Sequence, residues 1–135
     1  MSFLDRFSPQ LLSILRIVSA LIFMEHGTAK LLQFPPTEMF AAPPEIMTMG
    51  WISGVLELVG GALLTLGLFT RPVAFILSGE MAVAYWMAHA PQSFYPIQNQ
   101  GDAAILYCFV FLYIAAAGGG AWALDNLVFK RKAAA

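Results

Sequence analysis

The chain has 135 residues, 59% of them hydrophobic and only 11% charged, with a formal net charge of −1 and a mean hydropathy of +0.73. Soluble domains carry about 25% charged residues, so this balance does not suit a water-exposed globule, and no basic patch points to nucleic acid. The length fits one domain, and the lone Cys108 rules out an intramolecular disulfide, a CxxC pair and a thiolate metal cluster.

In chain order, four apolar stretches are long enough to cross a bilayer, which takes about 20 residues at 1.5 Å each. The first spans about residues 9–33 and stops at Phe34-Pro35-Pro36. Arg16 interrupts it and no small-residue cleavage site follows, so it reads as a retained helix, not a signal peptide. The second covers about 45–69, after Pro43-Pro44, where proline suits a helix start. Arg71-Pro72 reads as a tight turn into the third, about 71–90. Pro91, Pro96, Asn99 and Gly101 mark a loop before the fourth, about 102–124, which reaches full length only by continuing through Gly118-Gly119-Gly120. The expected fold is therefore all-α: a single integral membrane four-helix bundle.

Orientation follows from the cations. Arg6, Arg71, Lys130, Arg131 and Lys132 lie in the tails and the second connector, whereas residues 34–44 and 91–101 hold no Lys or Arg. The positive-inside rule then puts both termini in the cytoplasm, N-in and C-in, with the cell inner membrane as the location.

An ionisable side chain inside a span costs several kcal/mol unless it snorkels, pairs or faces a wet cavity. Arg16, Glu25, His26 and Lys30 fall in the first span, Glu57 in the second, Glu80 in the third, and His89 at the third's outer end. Glu25 reads as an interfacial carboxylate. Glu57 is about three turns deep and shares its face with Gly50, Ser53, Gly54 and Gly61, with Gly60 at the edge; such small residues mark close helix packing. Matching depths predicts that His26 and Lys30 meet Glu57 and that Arg16 leans toward Glu80. These pairs either form a polar site or only fix helix register.

His26 and His89 at similar depth invite a haem b reading, which is disfavoured because two histidines alone are a weak signal. Trp51, Tyr85, Trp86, Phe94, Tyr95, Tyr107 and Tyr113 read first as an interfacial aromatic belt and second as flanks for a quinone ring. No nucleophile with its base, phosphate loop or metal box stands out.

An Arg in the first span, "HGTAKLLQF", "ELVGGALLTLGLFTRP", "MAVAYWMAH", "GDAAILY" and "GGGAWALD" together resemble the DoxX family of small four-helix membrane proteins, from about Arg16 to Asp125. Gly119 and Asp102 depart from the family's frequent proline and glutamate. The resemblance implies the same topology. It also implies an association with membrane redox systems, including the quinone-reducing DoxD-type subunit of thiosulfate oxidation. Two functions stay open on sequence. One is the membrane subunit of a quinone-linked oxidoreductase system, in which His26, Lys30 and Glu57 bind the head group or relay its protons. The other is a non-enzymatic partner subunit or small carrier with structural charge pairs. The first requires a redox partner protein, since no redox cofactor motif is present. The lipid bilayer is a partner of either, and a homodimer is compatible with both.

Overall fold

A computed structural model describes residues 3–129; the basic tail Lys130, Arg131 and Lys132 used for orientation lies outside the described residues. Those residues are all-helical and contain no strand. Four long helical segments pack together. α1 is Ser8–Leu32. α2 runs from Met49 to Leu66 and changes pitch midway, with a single π-helical stretch at Leu56–Gly60. α3 is Thr70–Ala84 and continues as a π turn over Tyr85–His89. α4 is Asp102–Ala117. α1 and α2 are long and apolar enough to cross a membrane.

The ends of these helices have local causes. α1 stops where Gln33 turns left-handed at φ 55° and the backbone N–H groups of Gln33 and Phe34 both donate to Thr28 O, before two prolines. α2 begins later than the sequence suggests, at Met49, because the Thr48 hydroxyl caps it by accepting from Trp51 N at 3.3 Å. The turn between α2 and α3 is made by Gly67 at φ 71° and Phe69 at φ 52°, not by Arg71-Pro72. Those two residues already stand in the first turn of α3, where proline loses no helical hydrogen bond.

α4 is shorter than the expected 102–124. It ends at Ala117 because Gly118 takes φ 93° and ψ −170°, which no helix can continue. Residues 118–124 instead fold back under the bundle, where Ala121 N donates to Pro9 O and Trp122 N to the Ser13 hydroxyl. Leu124 N and Asp125 N reach Leu66 O and Gly67 O. The start of α1, the α2–α3 turn and this returning segment thus meet at one end of the molecule.

α1 packs along α2, and α3 along α4. Ala20, Phe23, Leu64, Leu77, Phe111 and Ile114 form the centre of the buried core. The exterior is also apolar: Phe75, Ile76, Leu106 and Phe109 are all more than half exposed. Such a surface suits lipid, not water.

Candidate ligand-binding cavity

Arg16 separates from the other ionisable residues first. It is fully buried at the end where the chain folds back. Its Nε donates to Gly119 O at 2.8 Å, Nη1 to Leu64 O and Thr65 O, and Nη2 to Trp122 O at 3.1 Å. The expected pairing with Glu80 is therefore incorrect. Carbonyls at the end of α2 and in the returning segment take up its donors, and a guanidinium's planar fork can serve several such acceptors at once. The sequence reading took 118–124 as helix, whose carbonyls would have been bonded internally and unavailable.

At the other end, the four helices diverge around a cavity of about 530 Å³. His26, Lys30, Glu57, Glu80 and His89 all line it, and Arg16 does not. Lys30 Nζ donates to Glu57 Oε1 at 2.7 Å and to the Ser53 hydroxyl at 3.0 Å. Ser53 in turn donates to Glu57 Oε1 at 3.3 Å. Phe40, from the connector after α1, lies with its ring 5.4 Å from the ammonium. Met39, Phe40 and Gln100 line this end, and Phe23, Met81, Met87 and Tyr107 supply apolar wall.

The pair forms because α1 and α2 touch backbone to backbone. A Cβ at Gly27 would lie 2.5 Å from Leu58 N and 2.9 Å from Gly54 O, so only glycine permits this approach. The contact falls on the π stretch that holds Glu57, three residues along α1 from Lys30. Of the small residues singled out on sequence, Gly54 abuts the Leu31 side chain, Gly60 the Leu77 side chain, and Gly61 both Met24 and Ala20 O. Gly50 is the exception: its nearest neighbour is Pro44 in the preceding connector, so it packs no helix against another. Gly27, which makes the closest of these approaches, was singled out only as part of the His26-Gly27 motif.

His26 does not hydrogen-bond Glu57. Its Nδ1 lies 3.2 Å from Ile22 O on its own helix, and its ring faces Tyr107 edge-on at 6.5 Å. His89 Nδ1 lies 2.8 Å from Asn99 O, and its ring stacks on Tyr85. A carbonyl can only accept, so in both rings Nδ1 carries the proton, and the neutral form leaves Nε2 with a lone pair. Asn99 fixes that partner in place. It is fully buried, and its side chain donates to Ser93 O and accepts from Gly101 N.

Three of the four carboxylate oxygens of Glu57 and Glu80, namely Glu57 Oε2 and both oxygens of Glu80, are buried and lack a hydrogen-bond partner among the described residues. Glu57 as a residue is only 3% exposed. Buried acceptors are ordinarily matched, so three orphaned carboxylate oxygens in one chamber mark a place where something else can bind. The chamber offers these oxygens and the two Nε2 atoms as acceptors, with the Lys30 ammonium as donor. It is built from two π turns, Leu56–Gly60 carrying Glu57 and Tyr85–His89 carrying His89, a distortion that recurs at functional sites.

The DoxX family profile matches residues 11–90, which run from α1 through α3 and include His26, Lys30, Glu57, Glu80 and His89 of the cavity. The chain belongs to the DoxX family. An uncharacterized protein of Haemophilus influenzae is 47% identical to this DoxX chain over 134 residues, 97% of the chain and 100% of its own length. Escherichia coli "Inner membrane protein YphA" is 31% identical, covering 87% of this chain and 90% of its own. Bacillus subtilis "Putative oxidoreductase CatD" is 27% identical, covering 88% and 87%. No solved structure matches the chain significantly.

Proposed function

We propose that this DoxX-family chain is a multi-pass inner-membrane protein with four spans and both termini cytoplasmic, and that its cavity binds the head group of a membrane quinone. It would serve as the membrane subunit of an oxidoreductase system. The observation that carries this reading is the orphaned carboxylate chemistry beside Lys30 in an otherwise apolar chamber. A quinone head is a flat apolar ring with oxygens at its edge. Oxidised, those oxygens accept hydrogen bonds, which the Lys30 ammonium can donate. Reduced, they carry hydroxyls that donate, which Glu57 Oε2, Glu80 and the histidine Nε2 atoms can accept. One site therefore has partners for both forms. Reduction takes up two electrons and two protons. The ionisable side chains provide groups that can exchange the protons, and the electrons come from a redox partner protein. The name of YphA supports the location, and that of CatD the reaction class.

The rival reading, intramembrane charges that only hold helices together, is favoured for Arg16, whose donors are taken up by four backbone carbonyls. It accounts less well for Glu57 Oε2 and the Glu80 oxygens, which are buried without a hydrogen bond among the described residues. To test the proposal, the protein is purified from membranes in mild detergent and its bound lipids are identified by mass spectrometry. Decyl-benzoquinone is then titrated by intrinsic tryptophan fluorescence. The expected outcome is co-purified quinone and saturable binding that weakens at least tenfold in Glu57→Gln and Lys30→Met. Absence of both from the folded wild-type protein would overturn the reading.

A further inference from the structure

The polar cavity does not end at its own walls. Two of its lining residues, Ala103 and Tyr107 of α4, also line a second depression of about 490 Å³ on the outside of the molecule. This groove runs between α1 and α4, and Leu15, Val18 and Ile22 face Leu106 and Val110 across it. It exists because α4 packs chiefly along α3 and meets α1 only sparingly. Its residues are open to the surroundings, with Val18 49% and Leu106 66% exposed. Ser19 in its lining donates its hydroxyl to Leu15 O at 2.6 Å, so it offers a ligand no proton.

Between groove and cavity stands Tyr107. Its ring packs against Phe23 at 5.3 Å and Phe111 at 5.5 Å, inside the bundle, and faces His26 across the cavity. The other shared residue is an alanine, so beside the Tyr107 ring the wall carries only a methyl group. The chain therefore has a thin partition between a chamber with charged groups and a channel that is apolar and open to lipid.

We propose that the groove between α1 and α4 holds the apolar tail of the ligand whose head occupies the cavity, and that the thin partition at Ala103 and Tyr107 is where the ligand passes laterally from the bilayer. This rests on the quinone reading of the head group. A membrane-soluble ligand is already in the hydrocarbon when it arrives, and its chain must lie somewhere once the head has entered. The connector end, lined by Met39, Phe40 and Gln100, leads toward the polar interface. The α1–α4 groove leads to lipid, and its lining is aliphatic apart from Ser19 and Tyr107. Lipid tails are as apolar as the groove, so seating the tail there adds little affinity. What the groove supplies is an exit, and closing it should therefore discriminate against tailed ligands alone.

The test uses a benzoquinone whose decyl tail ends in a photoreactive diazirine, together with a tailless methyl-substituted benzoquinone, both on the full chain in lipid nanodiscs. Irradiation should label residues 14–22 and 106–110, with labelling abolished by excess unlabelled decyl-benzoquinone. Leu106→Trp fills the groove at a residue outside the cavity lining. It should weaken the tailed quinone at least tenfold and leave the tailless one within about twofold. Label on Met39, Phe40 or α2, or equal effects of Leu106→Trp on both quinones, would overturn the tail assignment while leaving the head-group reading standing. If the wild-type protein binds neither quinone, both readings fall. Should Leu106→Trp not fold, the labelling pattern of the wild type decides alone.

Discussion

At the level of single residues, Lys30 and Glu57 carry most of the electrostatic consequence. Their contact is 2.7 Å and almost wholly removed from solvent. Deleting one member of a buried pair leaves the other charge uncompensated, whereas deleting both replaces a desolvated pair by apolar packing. Lys30→Met should therefore lower stability by about 3 kcal/mol, and Lys30→Met combined with Glu57→Leu should recover most of that loss. Thermal unfolding in detergent, followed by circular dichroism, measures both. A double variant as unstable as the single one would show that the stranded carboxylate is not the cost. Depth along the sequence was enough to bring Lys30 and Glu57 together, because both fall in the outer half of their spans. Depth was not enough for Arg16 or His26. The first found carbonyls at the end of α2 and in an unwound 118–124, and the second turned to Ile22 O on its own helix.

Among the helices, what sets the site is how closely α1 and α2 approach. Gly27 allows that contact, and Gly79 on α3 gives the matched control because a Cβ there meets nothing within 4 Å. Gly27→Ala should force α1 from α2, lengthen the Lys30–Glu57 contact and lower the unfolding midpoint. Gly79→Ala should be neutral or raise stability by up to about 1 kcal/mol, the helix-propensity difference between the two residues. Equal effects of the two substitutions in the same unfolding assay would contradict the close-packing argument. The helices themselves were largely legible, since long apolar runs and proline pairs announce where spans begin and end. Their internal irregularities were not. Neither π stretch has a local sequence mark, because the extra residue in the turn is a response to the neighbouring helix. The fourth helix was read too long because Gly118-Gly119-Gly120 can continue a helix or leave it. Gly118 at φ 93° and Gly120 at φ 78° leave it, and the carbonyls so freed are the ones Arg16 and Asn126 use.

For the molecule as a whole, one end is tied and the other is hollow. At the tied end, Asp125 accepts from Phe69 N at 2.7 Å and Thr70 N at 2.9 Å, capping α3, while Arg71 donates to the last carbonyls of α4 at Ala115, Ala116 and Ala117. Each charge sits at the helix end whose dipole favours it. The hollow end has the cavity and the two connectors without Lys or Arg. If the positive-inside rule governs this chain, the tied end faces the cytoplasm and the cavity opens toward the opposite face. A ligand's protons, and the electrons a redox partner brings to it, would then exchange on the outer side. Cysteine labelling tests this directly. In a Cys108→Ser background, Glu38→Cys and Ile97→Cys place thiols in the two connectors, and Phe129→Cys places one beyond α4, all at exposed positions. A membrane-impermeant maleimide added to right-side-out spheroplasts should modify the first two and spare the third, which should react only after the membrane is opened. The reverse pattern would invert the molecule and put proton exchange at the cavity on the cytoplasmic side. Labelling of all three in intact spheroplasts would mean that the chain crosses the bilayer an odd number of times between Ile97 and Phe129 in none of the molecules, and the four-span topology would fail.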